Sequence, residues 1–237
     1  MSLRVHDISV PVRAGMLISG RQPEYTQLYS IAEGAEYNVS AWRLHAHTGT
    51  HVETGRHYVD GRETIDSVAI ERLVGPARVL DLTAVAGEEI GPEDLRAAGY
   101  AGQERVLLKT ANSAAAIRED EKRSSWVGLG TAAAEHLIES GTKLLGVDYL
   151  SVETPAGEAG GDWPVHMLLC GAGLLLLEVV DLDGIEPGDY LLACLPLKLE
   201  GGEAAPARVV LIEPPTKPSE LWWSYDHQSS ETSGGGA

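Results

Sequence analysis

Four of the chain's eight histidines fall in one short window, His45-Ala-His47-Thr-Gly-Thr-His51-Val-Glu53-Thr-Gly-Arg-His57. The spacing of His47 and His51 would suit a helix, but Thr48, Gly49, Thr50 and Val52 between and beside them are poor helix formers. A strand ending at His47 and a turn at Gly49 are predicted instead. Beyond the turn, His51 and Glu53 stand two apart and face one side of an extended segment. His47 then reaches them by curling back across the glycine. Two imidazoles and one carboxylate are a common protein ligand set for a catalytic zinc ion, with positions left for water.

A second group lies far along the chain. His166 sits in Trp163-Pro164-Val165-His166-Met167-Leu168-Leu169, and Glu178 closes the apolar run that begins at Gly173. A carboxylate in such surroundings is costly to bury unless a cation meets it. No Lys or Arg lies nearby in sequence; a metal would serve as the partner, although taken alone the pair also fits an ordinary structural role. His45 is expected to be structural or to stand behind the ligands, and His6, His136 and His227 carry no functional reading.

Elements must exist that bring the two groups together. Apolar runs bounded by Gly, Pro or Asp predict strands at residues 4–12, 37–47, 77–83, 105–110, 143–147, 173–180, 190–199 and 207–212. Several are apolar without alternation, as expected for strands covered on both faces. Helices are predicted where Pro92 precedes Glu93 and Asp94 and Gly99 stops the segment, and across residues 131–140, with Ala133 and Leu137 on the buried side and Gly141 as the stop. The mixture reads as α/β or α+β.

The chain has 237 residues, enough for one sizeable domain. Its formal net charge of -17 disfavours nucleic acid as a partner, since that charge repels a phosphate backbone. Phe is absent, so aliphatic residues must fill most of the core. Cys170 and Cys194 lie in apolar runs outside any CxxC pattern and are expected to be buried free thiols in a reducing compartment. No run approaches the roughly 20 apolar residues of a membrane span. The first residues lack a signal-peptide core. Both features point to the cytoplasm and to no membrane partner. The Ser- and Gly-rich stretch from Gln228 is expected to be a disordered tail. Motifs for serine-hydrolase, dinucleotide or P-loop chemistry are missing.

The run His47-Thr-Gly49-Thr50-His51-Val-Glu53-Thr-Gly55-Arg-His57 resembles the HxGTHxDxPxH signature of the Putative cyclase family, which includes bacterial kynurenine formamidases and isatin hydrolases. The resemblance extends to Asp7-Ile-Ser9-Val-Pro11, to Gly146-Val-Asp148-Tyr-Leu-Ser151-Val-Glu153, to the His166 and Glu178 pair, and to Leu195-Pro-Leu and Ala205-Pro-Ala-Arg208. It implies a β-rich swivelling β/β/α single domain over residues 1–213, followed by an extension over 214–237. It implies a homodimer or homotetramer and a site of one or two metal ions, zinc first and manganese second. His47, His51 and Glu53 would hold the first ion, Glu53, His166 and Glu178 the second, and His57 would be the general acid and base. Glu53 stands where the family carries Asp, which predicts a displaced bridging carboxylate. Gly55 stands where it carries Pro, which predicts a looser loop around His57. The family's N-terminal W-P-G-D-P loop is replaced by Met16-Leu-Ile-Ser-Gly20-Arg-Gln-Pro23.

The expected chemistry is hydrolysis of a small amide. A bound metal would bring the pKa of water from about 15.7 towards about 7 and polarise the carbonyl. His57 would move the proton from water to the leaving nitrogen, because an imidazole titrates near operating pH. Met16, Leu17, Trp42, Trp126 and Trp163 are the candidate walls of a substrate pocket. The expected activity is arylformamidase, N-formylkynurenine giving kynurenine and formate. The alternatives are opening of a cyclic amide such as isatin, or small-molecule binding without turnover.

Overall fold

The computed structural model describes residues 3–16, 22–113 and 125–214. Leu17, His227 and nearly all of the C-terminal extension lie outside the described residues. The elements in chain order are β1 (Val5–Asp7), β2 (Glu24–Tyr29), β3 (Val39–Arg43), β4 (His51–Glu53), α1 (Ile70–Leu73), β5 (Val74–Asp81), β6 (Glu89–Ile90), α2 (Pro92–Ala97), β7 (Arg105–Lys109), β8 (Gly128–Leu129), α3 (Thr131–Glu139), β9 (Leu144–Val147), α4 (Pro155–Gly160), α5 (Pro164–Ala172), β10 (Leu175–Glu178), β11 (Gly188–Pro196) and β12 (Ala204–Ile212).

Seven strands form a barrel-like sheet in the order β12-β11-β5-β7-β9-β10-β4, and β4 pairs back onto β12 to close it. β5, β7, β9 and β10 run parallel, while β4 is antiparallel to both of its neighbours. β1 adds to the free stretch of the β12 edge. The result is the predicted mixed α/β domain, rich in β.

Side-chain alternation explains why these strands read as unbroken apolar runs. Leu107, Leu144, Leu175 and Leu177 point into one core with Val52, Leu192, Val209 and Leu211. Their neighbours Val106, Leu108, Leu145, Leu174 and Leu176 point the other way, onto Leu95, Leu129, Ala133, Leu137, Val165 and Leu169. One face fills the barrel and the other takes the helices, so both parities must be apolar.

The predicted helices form. At α2 the Asp94 carboxylate accepts the Gly91 N–H at 2.8 Å, and α3 stops at Gly141, whose φ is 85°. Three expectations are corrected. The strand at 37–47 ends at Arg43, because among the described residues β3 pairs only with β2 and the chain turns at residues 46–47. The strand at 4–12 shrinks to β1 with a single bridge from Ser9 to Val180. The helices α4 and α5 stand where no element was predicted, although Pro155 and Pro164 at their first positions and the αL residues Gly161 and Gly173 at their ends are the usual start and stop signals. Both strands of the β2–β3 hairpin are exposed throughout.

Cys170 and Cys194 are fully buried, and burial pushes both thiols up to about 12. At pH 8 roughly one molecule in ten thousand would carry either thiolate, the reactive form. The folded protein is therefore expected to resist maleimide labelling at pH 8 and to take two labels on unfolding. A label acquired within minutes by the folded chain would contradict this.

Candidate metal centre

The site is assembled at the seam of the barrel. The chain turns at Gly49, with φ 62°, and enters β4. Thr50 fixes the turn: its hydroxyl accepts the Val10 N–H at 2.8 Å and donates to the Val179 carbonyl at 2.5 Å. His51 Nδ1–H donates to the Gly49 carbonyl at 2.9 Å, which aims Nε2 inward. β10 pairs with β4 so that Glu178 lies directly opposite His51. α5 packs over the 3-10 turn Gly55–His57 and brings in His166 from the outer layer. Two non-glycine residues with positive φ flank the site, Trp163 (49°) before α5 and Val179 (61°) after β10. Backbone held in that region commonly marks functional ground.

All five predicted ligands meet and are buried. His47 Nδ1 lies 2.5 Å from Glu53 Oε1 and 3.1 Å from His51 Nε2, and His51 Nε2 lies 3.0 Å from the same oxygen. On the other side, His166 Nε2 is 4.0 Å from Glu53 Oε2 and 3.5 Å from Glu178 Oε1. His51 Nε2 and Glu178 Oε2 are 3.6 Å apart, which joins the two groups. His47, His51 and Glu53 form one set of candidate ligand atoms and Glu53, His166 and Glu178 another, each within 4.8 Å. Glu53 faces each group with one oxygen. Glu53 Oε2 is buried with no hydrogen-bond partner. Such an orphan is costly unless a cation or other partner meets it. The donor set, three imidazoles and two carboxylates around that oxygen, fits one or two divalent ions.

The electrostatics agree. Burial raises the Glu53 carboxyl, but hydrogen bonds from His47 and His51 outweigh it and hold the group well below the usual carboxylate range. Burial lowers His166, yet the Glu153 and Glu178 carboxylates outweigh it and raise the ring to about 10. His51 is raised likewise, against its burial, by Glu53 and Glu178. Surroundings that favour imidazolium so strongly favour a cation in general. His57 behaves oppositely. Burial lowers it to about 4, with Glu53 pulling against and His47 and His166 adding to the drop.

His57 stands over the ligands, its ring 4.2 Å from that of His47 and its Nε2 3.9 Å from Glu53 Oε1. With His45, Tyr58, Leu150, Ser151, Glu158 and Trp163 it lines a cavity of about 120 Å³ whose floor is His47, Glu53, His166 and Glu178. Of the other predicted wall residues, Met16 is buried beside Gly49. Trp126 is buried and does not line the cavity; it is stacked on Tyr149 at 5.1 Å and donates its Nε1–H to the Glu153 carbonyl at 2.7 Å. Trp42 is 44% exposed on the β2–β3 hairpin, edge-on to Tyr25. At Gly55 a Cβ would lie 2.7 Å from the Cys170 carbonyl, so the glycine permits a close approach of the His57 turn to α5. Sequence reasoning did not single out Tyr58, Leu150, Ser151 or Glu158. Tyr58 adjoins His57, and Leu150 and Ser151 fall in the segment around Asp148 and Glu153, which were the available signals. A larger cavity of about 610 Å³ lies beside the start of β7, between Arg105, Asp189 and Tyr190. Neither set of converging ligand atoms borders it.

Residues 6–154 match the family described as "Putative cyclase". The chain is 36% identical over 178 residues to a kynurenine formamidase of Salinibacter ruber, covering 75% of this chain and 81% of the relative. A solved structure described as a potential metal-dependent hydrolase with cyclase activity superposes with a TM-score of 0.76 at 30% identity, covering 90% of this chain and 100% of the other. Isatin hydrolase A from Labrenzia aggregata, at 22% identity, shares the fold with a TM-score of 0.78 over 89% of this chain and 93% of its own. The chain belongs to the Putative cyclase family.

Proposed function

We propose that this protein is a metal-dependent hydrolase of small amides, and specifically an arylformamidase that splits N-formylkynurenine into kynurenine and formate. The observation that carries the reading is the buried Glu53 carboxylate, shared between the His47 and His51 imidazoles and the His166 and Glu178 pair. The likeness to kynurenine formamidase supports the substrate class. His47, His51 and Glu53 would hold one ion, and Glu53, His166 and Glu178 a second, zinc before manganese. Metal bound there would supply an acidified water and a polarised amide carbonyl.

The chain's own groups supply the rest. His57 faces the cavity, and burial holds it neutral with a pKa of about 4 instead of the expected value near operating pH, so it would act as a weak base that takes a proton from water and readily returns it to the leaving nitrogen. Trp163, Tyr58 and Leu150 form the wall against which the aromatic part of the substrate rests. Among the described residues no helix is long and apolar enough to cross a membrane. Cytoplasmic placement and a homodimer or homotetramer belong to the same proposal. The exposed Tyr25, Leu28, Tyr29, Ile31, Tyr37, Val39 and Trp42 on and beside the β2–β3 hairpin support association, because a lone hairpin with both faces in water is marginally stable.

The test is a chelation and reconstitution series with N-formylkynurenine, formanilide and isatin as substrates. Hydrolysis of the first two is expected, abolished by chelation and restored by zinc or manganese. Turnover of isatin alone would transfer the assignment to cyclic amides. Stoichiometric metal with no turnover of any of the three would leave a binding protein.

A further inference from the structure

We propose that Glu153 is a positioning residue for the site: it fixes the ring of His166 so that Nε2, and not Nδ1, faces Glu53 and Glu178. The inference rests on the metal-centre reading above. Glu153 is fully buried, and its Oε1 accepts two hydrogen bonds from one residue, the His166 backbone N–H at 2.9 Å and Nδ1–H at 3.0 Å. Between them they fix both the backbone of His166 and the ring nitrogen nearest to it. Nε2 is left to point at Glu178 Oε1 and Glu53 Oε2. A carboxylate on the outer nitrogen of a ligating histidine settles its tautomer and makes it a stronger donor.

The carboxylate is itself held in place. The Glu153 N–H donates to Ser151 Oγ at 3.1 Å, and its carbonyl accepts Trp126 Nε1–H at 2.7 Å. One residue earlier, the Val152 N–H donates to Glu178 Oε1 at 2.8 Å. A single turn after β9 therefore orients one ligand from α5 and another from β10. The second oxygen of Glu153 has no hydrogen-bond partner, and a Cβ on Gly157 would lie 2.7 Å from it. Gly157 thus leaves the room that this carboxylate occupies at the start of α4.

The test measures zinc affinity of the full chain by competition with a chromophoric chelator, without reference to turnover. Glu153→Ala is expected to weaken binding about 10–100-fold. Glu153→Gln keeps an acceptor oxygen for Nδ1–H and is expected to recover most of that loss. Nitrogen chemical shifts of His166 in the zinc-loaded protein should report the Nδ1–H tautomer in wild type and Glu153→Gln, and a mixture in Glu153→Ala. Gly157→Ala pushes on the end of the same side chain and should weaken binding in the same direction, which serves if Glu153→Ala does not fold. A folded Glu153→Ala, or Gly157→Ala, that binds zinc as tightly as wild type would overturn the role of Glu153. A wild-type protein that binds no zinc or manganese would overturn the metal centre itself.

Discussion

Glu53→Ala is expected to lose metal at both positions and to cut kcat/KM by roughly 10³-fold, the several kcal/mol that metal activation supplies divided among decades of 1.36 kcal/mol. The effect exceeds that of any other single ligand because Glu53 belongs to both sets of converging atoms. Zinc-finger sites yield about 10–16 kcal/mol over four ligands, or roughly 3 kcal/mol each, which is on the order of 10²-fold in affinity per ligand lost. His47, by comparison, touches only one set, and His166 only the other. Metal content by plasma emission and affinity by chelator competition would show the loss directly. Glu53→Asp is the informative control. The family signature carries Asp here, so the variant should keep metal, with its position set by one fewer methylene. A Glu53→Ala protein that retains two equivalents of tightly bound metal would remove the shared carboxylate from the account.

His57→Ala is expected to lower kcat by about 10²–10⁴-fold while leaving metal content unchanged. His57 belongs to neither ligand set, yet it lines the cavity above both. Its position at 28% side-chain exposure means that truncation opens no sealed void, so the fold should tolerate the change. The pH dependence adds a second reading. An ordinary histidine gains its proton near 6.5, whereas burial holds His57 at about 4. The base form thus persists on acidification, and the acid limb of kcat/KM should fall well below 6.5 when metal is kept saturating. The stability sign follows from the same shift. Between pH 6.5 and about 4 the unfolded chain binds a proton at His57 that the folded chain refuses, so this residue makes acidification destabilising across that window. Unchanged turnover in His57→Ala would refute the proton-transfer role.

Much of the site was readable from spacing. The interval from His51 to Glu53 placed both on one face of an extended segment, and the structure has them on β4 with side chains 3.0 Å apart. What spacing could not supply was the partner strand. That Glu178 opposes His51 is a matter of register between segments more than 120 residues apart, and register emerges only when the barrel closes. His166 was found by residue type, but its helix was missed, because the Leu- and Gly-containing run around it lacks strong periodicity while Pro164 and Gly173 alone mark its ends. The hairpin strand β2 escaped notice because all six of its residues face solvent, so burial imposed no apolar alternation on it. Trp42, a candidate pocket wall, stands instead on the exposed hairpin, and residue type alone does not separate the two places. Glu153 ends the segment Gly146-Val-Asp148-Tyr-Leu-Ser151-Val-Glu153, but a carboxylate that acts through a histidine thirteen residues away leaves no local pattern.

The strand that carries His51 and Glu53 is only three residues long, and among the described residues it alone bridges β10 to β12. Protein fold and chemical function thereby share one zipper tooth. Fraying of that tooth would part the cylinder lengthwise and scatter its cation-holding side chains in the same event, so a cation gripping both flanks would act as a rivet through the wall. Loss of the ion should thus be felt as mechanical slackness along the whole staves on either side.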